Sequence, residues 1–175
     1  MKHFSIYLLL VLTLPLSAKM LVSPIDVMKQ SFGENSKVSK KNILLKNDQA
    51  NNIQKDAKTK IKSKIFKVFQ AVKNDKILGY GIIVNKKVRS KNAAIIYIIS
   101  KDSILKSVEI IAFNEPMEYV PSKTWIAQFE EISTDKRLRV GNEIPTITGA
   151  TLSARSIVDG SRIAFAFYEE ILKGK

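Results

Sequence analysis

Apolar positions change their spacing along the chain, and the change predicts where strands lie. Four short runs rich in β-branched residues occupy positions 65–72, 77–84, 93–99 and 104–113, with polar turns between them. These turns are too short for a helical crossover, so neighbouring runs are predicted to pair as antiparallel strands. The middle of the chain is therefore expected to form a sheet meander.

Three other segments have the marks of helices. Residues 23–33 combine a serine cap, a proline at the first helical position, an apolar stripe and a final glycine. Ser122 is placed to cap a short helix that carries Trp125 and Phe129, and residues 151–172 are predicted to form the last helix. The predicted fold class is α+β, an antiparallel sheet with helices packed on it.

A lysine-rich segment precedes the sheet. It contains ten lysines and two aspartates between Lys37 and Lys67. Ile53, Ala57 and Ile61 recur every four residues, which predicts a helix whose lysines form a solvated face. Binding of a polyanion or an anionic membrane surface is the alternative. Nucleic acid is not expected as a partner, because residues 37–65 contain no aromatic side chain that could stack on bases.

The first eighteen residues resemble a secretory signal peptide. Lys2 and His3 give a basic start, an apolar run follows, and Ser17 and Ala18 end it with small side chains. We expect cleavage near Ala18 and a single periplasmic domain over residues 19–175. An uncleaved anchor is the alternative, although the run is shorter than the roughly 20 residues that a spanning helix needs.

The composition limits the chemistry that the chain can perform. The 175 residues include no cysteine and one histidine, His3, and carry a formal net charge of +13. Disulfides, thiolate metal sites and thioether-linked haem are therefore excluded. Any chemistry that the exported domain performs is therefore expected to come from other residues or from a bound group.

Hydroxyl side chains crowd around Gly149 and Ala150, directly before the predicted last helix. Residues 146–156 read TITGATLSARS. A helix N-terminus attracts anions through its unpaired N–H groups and its dipole. Ordinary capping accounts for one of these hydroxyls but not for their order.

The hexapeptide Thr-Gly-Ala-Thr-Leu-Ser at positions 148–153 resembles the flavinylation motif of the FMN-binding domain family. That family includes peripheral subunits of Rnf-type and sodium-pumping quinone reductase complexes. The likeness extends over residues 64–172. It includes Gly79-Tyr80-Gly81, Glu115-Pro116, Trp125 to Phe129 and Arg155 to Arg162.

The resemblance implies that a flavin transferase takes FMN from FAD and esterifies its phosphate to Thr151. It also implies that Thr148, Gly149, Ala150, Leu152 and Ser153 complete the binding loop. Further expected contacts are Arg155 and Glu115 to the ring or phosphate, and Tyr80 and Trp125 beside the isoalloxazine or in the core. The family usually has an acidic residue where this chain has Pro145, so non-covalent FMN at the same place stays open.

The expected function is that of an exported electron carrier. Its FMN would pass electrons from a membrane donor to an exported acceptor, and peripheral association with the membrane is a further expectation. Two alternatives stay open. One is a flavin-dependent reductase of a small acceptor, and the other is a basic module that binds polyanions or membranes without a redox role.

Overall fold

A computed structural model describes residues 20–175, which form a six-stranded antiparallel sheet in meander order with helices on both faces. The predicted α+β class is confirmed. The strands are β1 (Lys37–Leu44), β2 (Ile65–Lys73), β3 (Lys76–Lys87), β4 (Asn92–Ser100), β5 (Ile104–Phe113) and β6 (Ile132–Ser133). The helices are α1 (Pro24–Phe32), α2 (Asn47–Ala57), α3 (Lys123–Ile126) and α4 (Thr151–Phe167), and a π-helical turn follows at Tyr168–Leu172.

Side chains of the central strands point in turn to the two faces of the sheet, and they form a separate hydrophobic core on each face. In β4, Tyr97 and its apolar neighbours two residues away face the larger core, which α2 and α4 cover. Ile96 and Ile98 face the opposite side and join the smaller core under α1. Because side chains alternate across a strand, this almost continuous apolar run can be buried on both faces.

Helix α1 has the predicted cap and end. Ser23 Oγ accepts a hydrogen bond from the Asp26 N–H at 3.5 Å, and Gly33 ends the helix at φ +96°. The glycines of β3 make room for this helix, because a Cβ on Gly79 would overlap the Phe32 ring. A Cβ on Gly81 would lie 2.7 Å from the Met28 sulfur. These two glycines are therefore explained by packing alone.

Helix α4 is fixed against the sheet by two polar contacts. The Tyr97 hydroxyl donates to the Ile157 carbonyl at 2.8 Å, and Ser156 Oγ donates to the Lys87 carbonyl at 3.0 Å. A methyl group on Gly160 would overlap the Tyr97 hydroxyl, so glycine allows the close approach of helix and strand. The first turns of α4 are thereby held at the end of β3.

The predicted lysine-rich helix is wrong in its extent. Residues 37–44 form the edge strand β1, and α2 covers only Asn47–Ala57, so Ile61 lies in the loop beyond it. Lys58 adopts a left-handed conformation, φ +48°, which ends the helix before the third member of the stripe. Most side chains of β1 are exposed on both faces, so the strand lacks the usual alternation. Lysines on such an edge discourage pairing with another chain.

The predicted signal peptide, residues 1–18, lies outside the described residues. The described chain begins beside β5, where Met20 bridges to Ala112 and the Leu21 N–H donates to the Ile111 carbonyl at 2.8 Å. Within residues 20–175, none of the helices has the length and hydropathy needed to cross a membrane.

Candidate functional site

The loop before α4 turns on Gly149. This residue has φ +80°, and a Cβ placed on it would meet nothing within 4 Å. Glycine is therefore favoured by its backbone conformation and not by crowding from the protein. The Ile147 carbonyl closes the loop, since it accepts from the Ala150 N–H at 3.2 Å and from Thr151 Oγ1 at 3.1 Å.

Helix α4 begins without a side-chain cap, although hydroxyl residues surround its start. The cap position is Ala150, and the first helical N–H with a backbone acceptor is that of Ala154, which donates to the Ala150 carbonyl at 3.1 Å. In the described part of the chain, the N–H groups of Thr151, Leu152 and Ser153 donate to no protein acceptor. Unpaired N–H groups at a helix start form a site that favours an anion.

Ser153 supplies an independent observation at the same place. Its side chain is 1% exposed, and its Oγ has no hydrogen-bond partner among residues 20–175. A buried hydroxyl without a partner costs about 1–3 kcal/mol, and such groups in native structures call for an explanation. A hydrogen-bonding ligand at the start of α4 would remove this cost.

A groove of about 340 Å³ lies over this helix start. One wall is the motif itself, residues 149–153, and the other is formed by Val88, Arg89 and Tyr119. Arg89 Nη1 lies 3.5 Å from the Tyr119 hydroxyl, at the limit of a hydrogen bond. The groove thus combines an aromatic ring, a cation and a row of unpaired N–H groups. Between residues 20 and 175, no group of three or more acidic or histidine side chains could hold a metal ion.

Glu115 acts on this groove indirectly. Its carboxylate is buried and accepts from the N–H groups of Arg89, Ser90 and Lys91 at 3.0, 2.5 and 2.7 Å. These bonds, with that from Lys91 the largest influence, lower the pKa of the Glu115 carboxyl below its usual value. The charged carboxylate therefore holds the β3–β4 turn, which carries Arg89 to the groove.

Trp125 also lies behind the site and does not line the groove. It is buried, its ring packs edge-on against Phe129 at a centroid distance of 5.4 Å, and its Nε1–H donates to the Pro145 carbonyl at 3.0 Å. Ser122 caps the short helix α3 as predicted, since its Oγ accepts from the Trp125 N–H at 3.2 Å. The indole thus fixes the chain just before the motif.

The remaining predicted site residues, Arg155, Thr148 and Tyr80, do not line the groove. Arg155 is exposed one turn after Thr151, on the same side of α4. Thr148 is exposed but does not line the groove. The structure does not bring Tyr80 to the motif, because its ring packs against Tyr168, 6.2 Å away, beyond the other end of α4.

Sequence reasoning missed Val88, Arg89 and Tyr119. They lie about 30 to 60 positions before the motif and reach it only through the sheet order, so no local spacing could have connected them. The one usable signal was Glu115, because the N–H groups that donate hydrogen bonds to its carboxylate belong to the turn that carries Arg89.

No protein-family model matches this chain, and no curated protein matches it.

Proposed function

We propose that this protein is an exported electron-transfer protein that binds FMN, with the FMN phosphate esterified to Thr151. The observation that carries the proposal is the uncapped start of α4 next to the buried, unpartnered Ser153 hydroxyl. Both features lie within the hexapeptide that resembles a flavinylation motif, and both suit a phosphate group.

Thr151 fits the role of acceptor for three reasons. Its side chain is half-buried at the mouth of the groove, where another enzyme can reach it. Among residues 20–175 its hydroxyl donates to one acceptor, the Ile147 carbonyl, and rotation about χ1 of Thr151 can break this bond. In the transfer, the Thr151 oxygen bonds to the FMN phosphorus of FAD, the pyrophosphate bond breaks, and AMP leaves. A base on the transferase takes the hydroxyl proton.

The chain's own groups fit a phosphodiester at this place. The N–H groups of Leu152 and Ser153 point out of the first turn of α4, and the helix dipole favours the remaining negative charge. The Ser153 hydroxyl can donate a further hydrogen bond from the buried side. Arg155 follows one turn later and adds a positive charge on the exposed side.

The opposite wall suits a planar ring. Tyr119 offers an aromatic face, and Arg89 offers a guanidinium that can donate hydrogen bonds to carbonyl or ring nitrogen atoms. Glu115 and Trp125 act as positioning residues, since they hold the turn and the loop that carry the two walls. The bound flavin would supply reversible one- or two-electron transfer, while the protein sets its position and surroundings.

The experiment compares two threonines of the motif. The full-length chain is produced with and without a flavin transferase, and flavin fluorescence is read after denaturing electrophoresis. Wild type and the control Thr148→Ala should retain the signal, whereas Thr151→Val, which keeps the shape and removes the hydroxyl, should lose it. A chain that neither becomes fluorescent nor binds FMN in its native state would contradict the proposal.

Pro145 allows the covalent and non-covalent forms to be separated. If the transferase requires the acidic residue usual at this position, wild type should release FMN on denaturation and Pro145→Asp should retain it. If wild type already retains FMN, the transferase accepts proline, and Pro145→Asp should change little. Absence of FMN from both variants would argue against the site itself.

A further inference from the structure

One end of the sheet carries the candidate groove and several element ends. β1, β3 and β5 end there at Leu44, Lys87 and Phe113, and β2 and β4 begin there at Ile65 and Asn92. Helix α4 starts beside it, because Ser156 bonds the Lys87 carbonyl. We call this the motif end.

Positive charge is concentrated at the motif end. The acids there are few: Glu115 is buried and bonded to the β3–β4 turn, Asp159 pairs with Lys86 at 3.5 Å, and Asp48 and Glu118 are exposed. At the other end of the sheet, lysines and carboxylates alternate and several pair, as Lys101 does with Asp102. The exposed cations of the motif end are Lys46, Lys60, Lys62, Lys64, Lys67, Lys87, Arg89, Lys91 and Arg155.

An exposed apolar pair lies among these lysines. Leu44 and Ile65 are direct partners in the β1–β2 register, yet their side chains are 71% and 60% exposed. They share the sheet face covered by α1, but that helix packs farther along, over Gly79 and Gly81. Two adjacent large aliphatic side chains at an edge, with lysines on each side, form a small amphipathic surface.

We propose that the motif end docks on the surface of an anionic lipid bilayer. Lysines near such a surface are attracted to acidic headgroups, and aliphatic side chains reach the boundary of the acyl region. Lysine alkyl chains can follow the apolar surface while their ammonium groups stay at the headgroups. Protein-binding surfaces are instead enriched in Tyr, Trp and Arg, and single-stranded nucleic acid needs aromatic stacking partners. The patch around Leu44 and Ile65 is built from lysine and aliphatic residues.

Docking in this orientation has a consequence for the groove. Leu152, 44% exposed, and Arg89 belong to the groove and to the same end. A cofactor bound there would face the membrane, which suits exchange of electrons with a membrane donor. This consequence rests on the proposed function, whereas the docking itself depends only on charge and apolar exposure and is measured on flavin-free protein.

Vesicle co-sedimentation tests the proposal with matched charge variants of the full-length chain. Phosphatidylcholine vesicles give the binding that does not depend on anionic lipid, including any from a retained apolar N-terminal run, and added phosphatidylglycerol gives the anionic increment. Far-UV circular dichroism checks that each variant is folded. The motif-end variant replaces Lys60, Lys62, Lys64 and Lys67 by Gln, and the control replaces Lys37, Lys73, Lys76 and Lys136 by Gln.

The two variants carry the same net charge but should behave differently. Each lysine near an anionic surface raises the affinity for it by about fivefold. If the four effects multiply, the motif-end variant should lose on the order of several hundredfold in the part of its affinity that depends on phosphatidylglycerol. The control should lose less than about tenfold, and wild-type binding should fall steeply with salt. Leu44→Ser with Ile65→Ser should weaken binding by about tenfold while leaving its salt dependence unchanged.

Three results would overturn the proposal. They are equal losses in the two lysine variants, no binding of wild type to phosphatidylglycerol vesicles at low salt, and binding to heparin or to an acidic protein without binding to vesicles. Loss of flavin would instead concern Thr151 and leave the vesicle result unaffected.

Discussion

The buried hydroxyl of Ser153 gives a test in which substitution by alanine is expected to raise the free energy of unfolding. Replacing a buried serine commonly destabilises a protein, because a hydrogen bond is lost. Ser153 Oγ has no partner in the described chain, so Ser153→Ala removes only the cost of burying that group. Ser156, three residues later on α4, is also buried but donates to the Lys87 carbonyl at 3.0 Å, and it serves as the matched control.

The expected free energies of unfolding follow from these two environments. Burying an unpartnered hydroxyl costs about 1–3 kcal/mol, and its removal recovers part of this free energy. Alanine adds up to about 0.5 kcal/mol of stability through its higher helix propensity. Ser153→Ala should therefore stabilise the flavin-free protein by about 1–2 kcal/mol. Ser156→Ala should destabilise it by about 1 kcal/mol, because the Lys87 carbonyl loses its donor.

The assay is guanidinium unfolding of protein produced without a flavin transferase, followed by far-UV circular dichroism. In thermal unfolding, each kcal/mol should move Tm by about 2–4 °C for a chain of this size. In FMN-loaded protein, the gain from Ser153→Ala should vanish or reverse, since the hydroxyl then has a phosphate partner. Equal destabilisation by Ser153→Ala and Ser156→Ala in the flavin-free protein would refute the reasoning, because Ser153 would then have a partner within the protein.

Three further substitutions test the supports of the groove. Glu115→Gln should loosen the β3–β4 turn and remove a pH dependence of stability. A carboxyl whose pKa is lowered in the folded state stabilises the fold above its unfolded pKa, and this contribution is lost as pH falls through the folded pKa. Unfolding curves of wild type, but not of the variant, should therefore lose that contribution as pH falls below about 4.3, the usual pKa of a glutamate. Gly160→Ala should destabilise the protein by about 1–3 kcal/mol through overlap with the Tyr97 hydroxyl, and adding Tyr97→Phe should recover part of this in the same unfolding assay. Trp125→Phe should remove the bond to the Pro145 carbonyl, which amide hydrogen exchange should detect as faster exchange in the loop before α4, whereas unchanged exchange would show that the loop is held otherwise.

The sheet and the last helix could be predicted because each element has a regular spacing of apolar residues that can be read from its own segment. The runs that became β2 to β5 are bounded by polar turns, and the observed strands differ from the predicted ones by no more than three residues at either end. The edge strand β1 was missed because both of its faces are largely exposed, so its sequence lacks alternation. Helix α2 was drawn too long because the spacing of Ile61 fitted the stripe, while the left-handed Lys58 could not be foreseen.

The candidate site likewise has a part that could be predicted from the sequence and a part that depends on the fold. The motif is continuous in sequence, so its place before α4 could be predicted from hydroxyls and one glycine. Arg89 and Tyr119 come to it from other elements, and their approach depends on sheet order and on the turn that Glu115 holds. For Tyr80 the resemblance left a place beside the isoalloxazine and a place in the core open, and the structure has it in the core, against Tyr168 at the far end of α4.

The most direct test of the central proposal is the mass of the peptide that contains the start of α4. The protein is purified from its native host, digested, and the peptide spanning residues 146–155 is sequenced by tandem mass spectrometry. The account predicts an FMN phosphoryl group on Thr151 and an unmodified Thr148. An unmodified peptide would contradict the ester to Thr151, and a preparation that also releases no FMN on denaturation would contradict FMN binding as well.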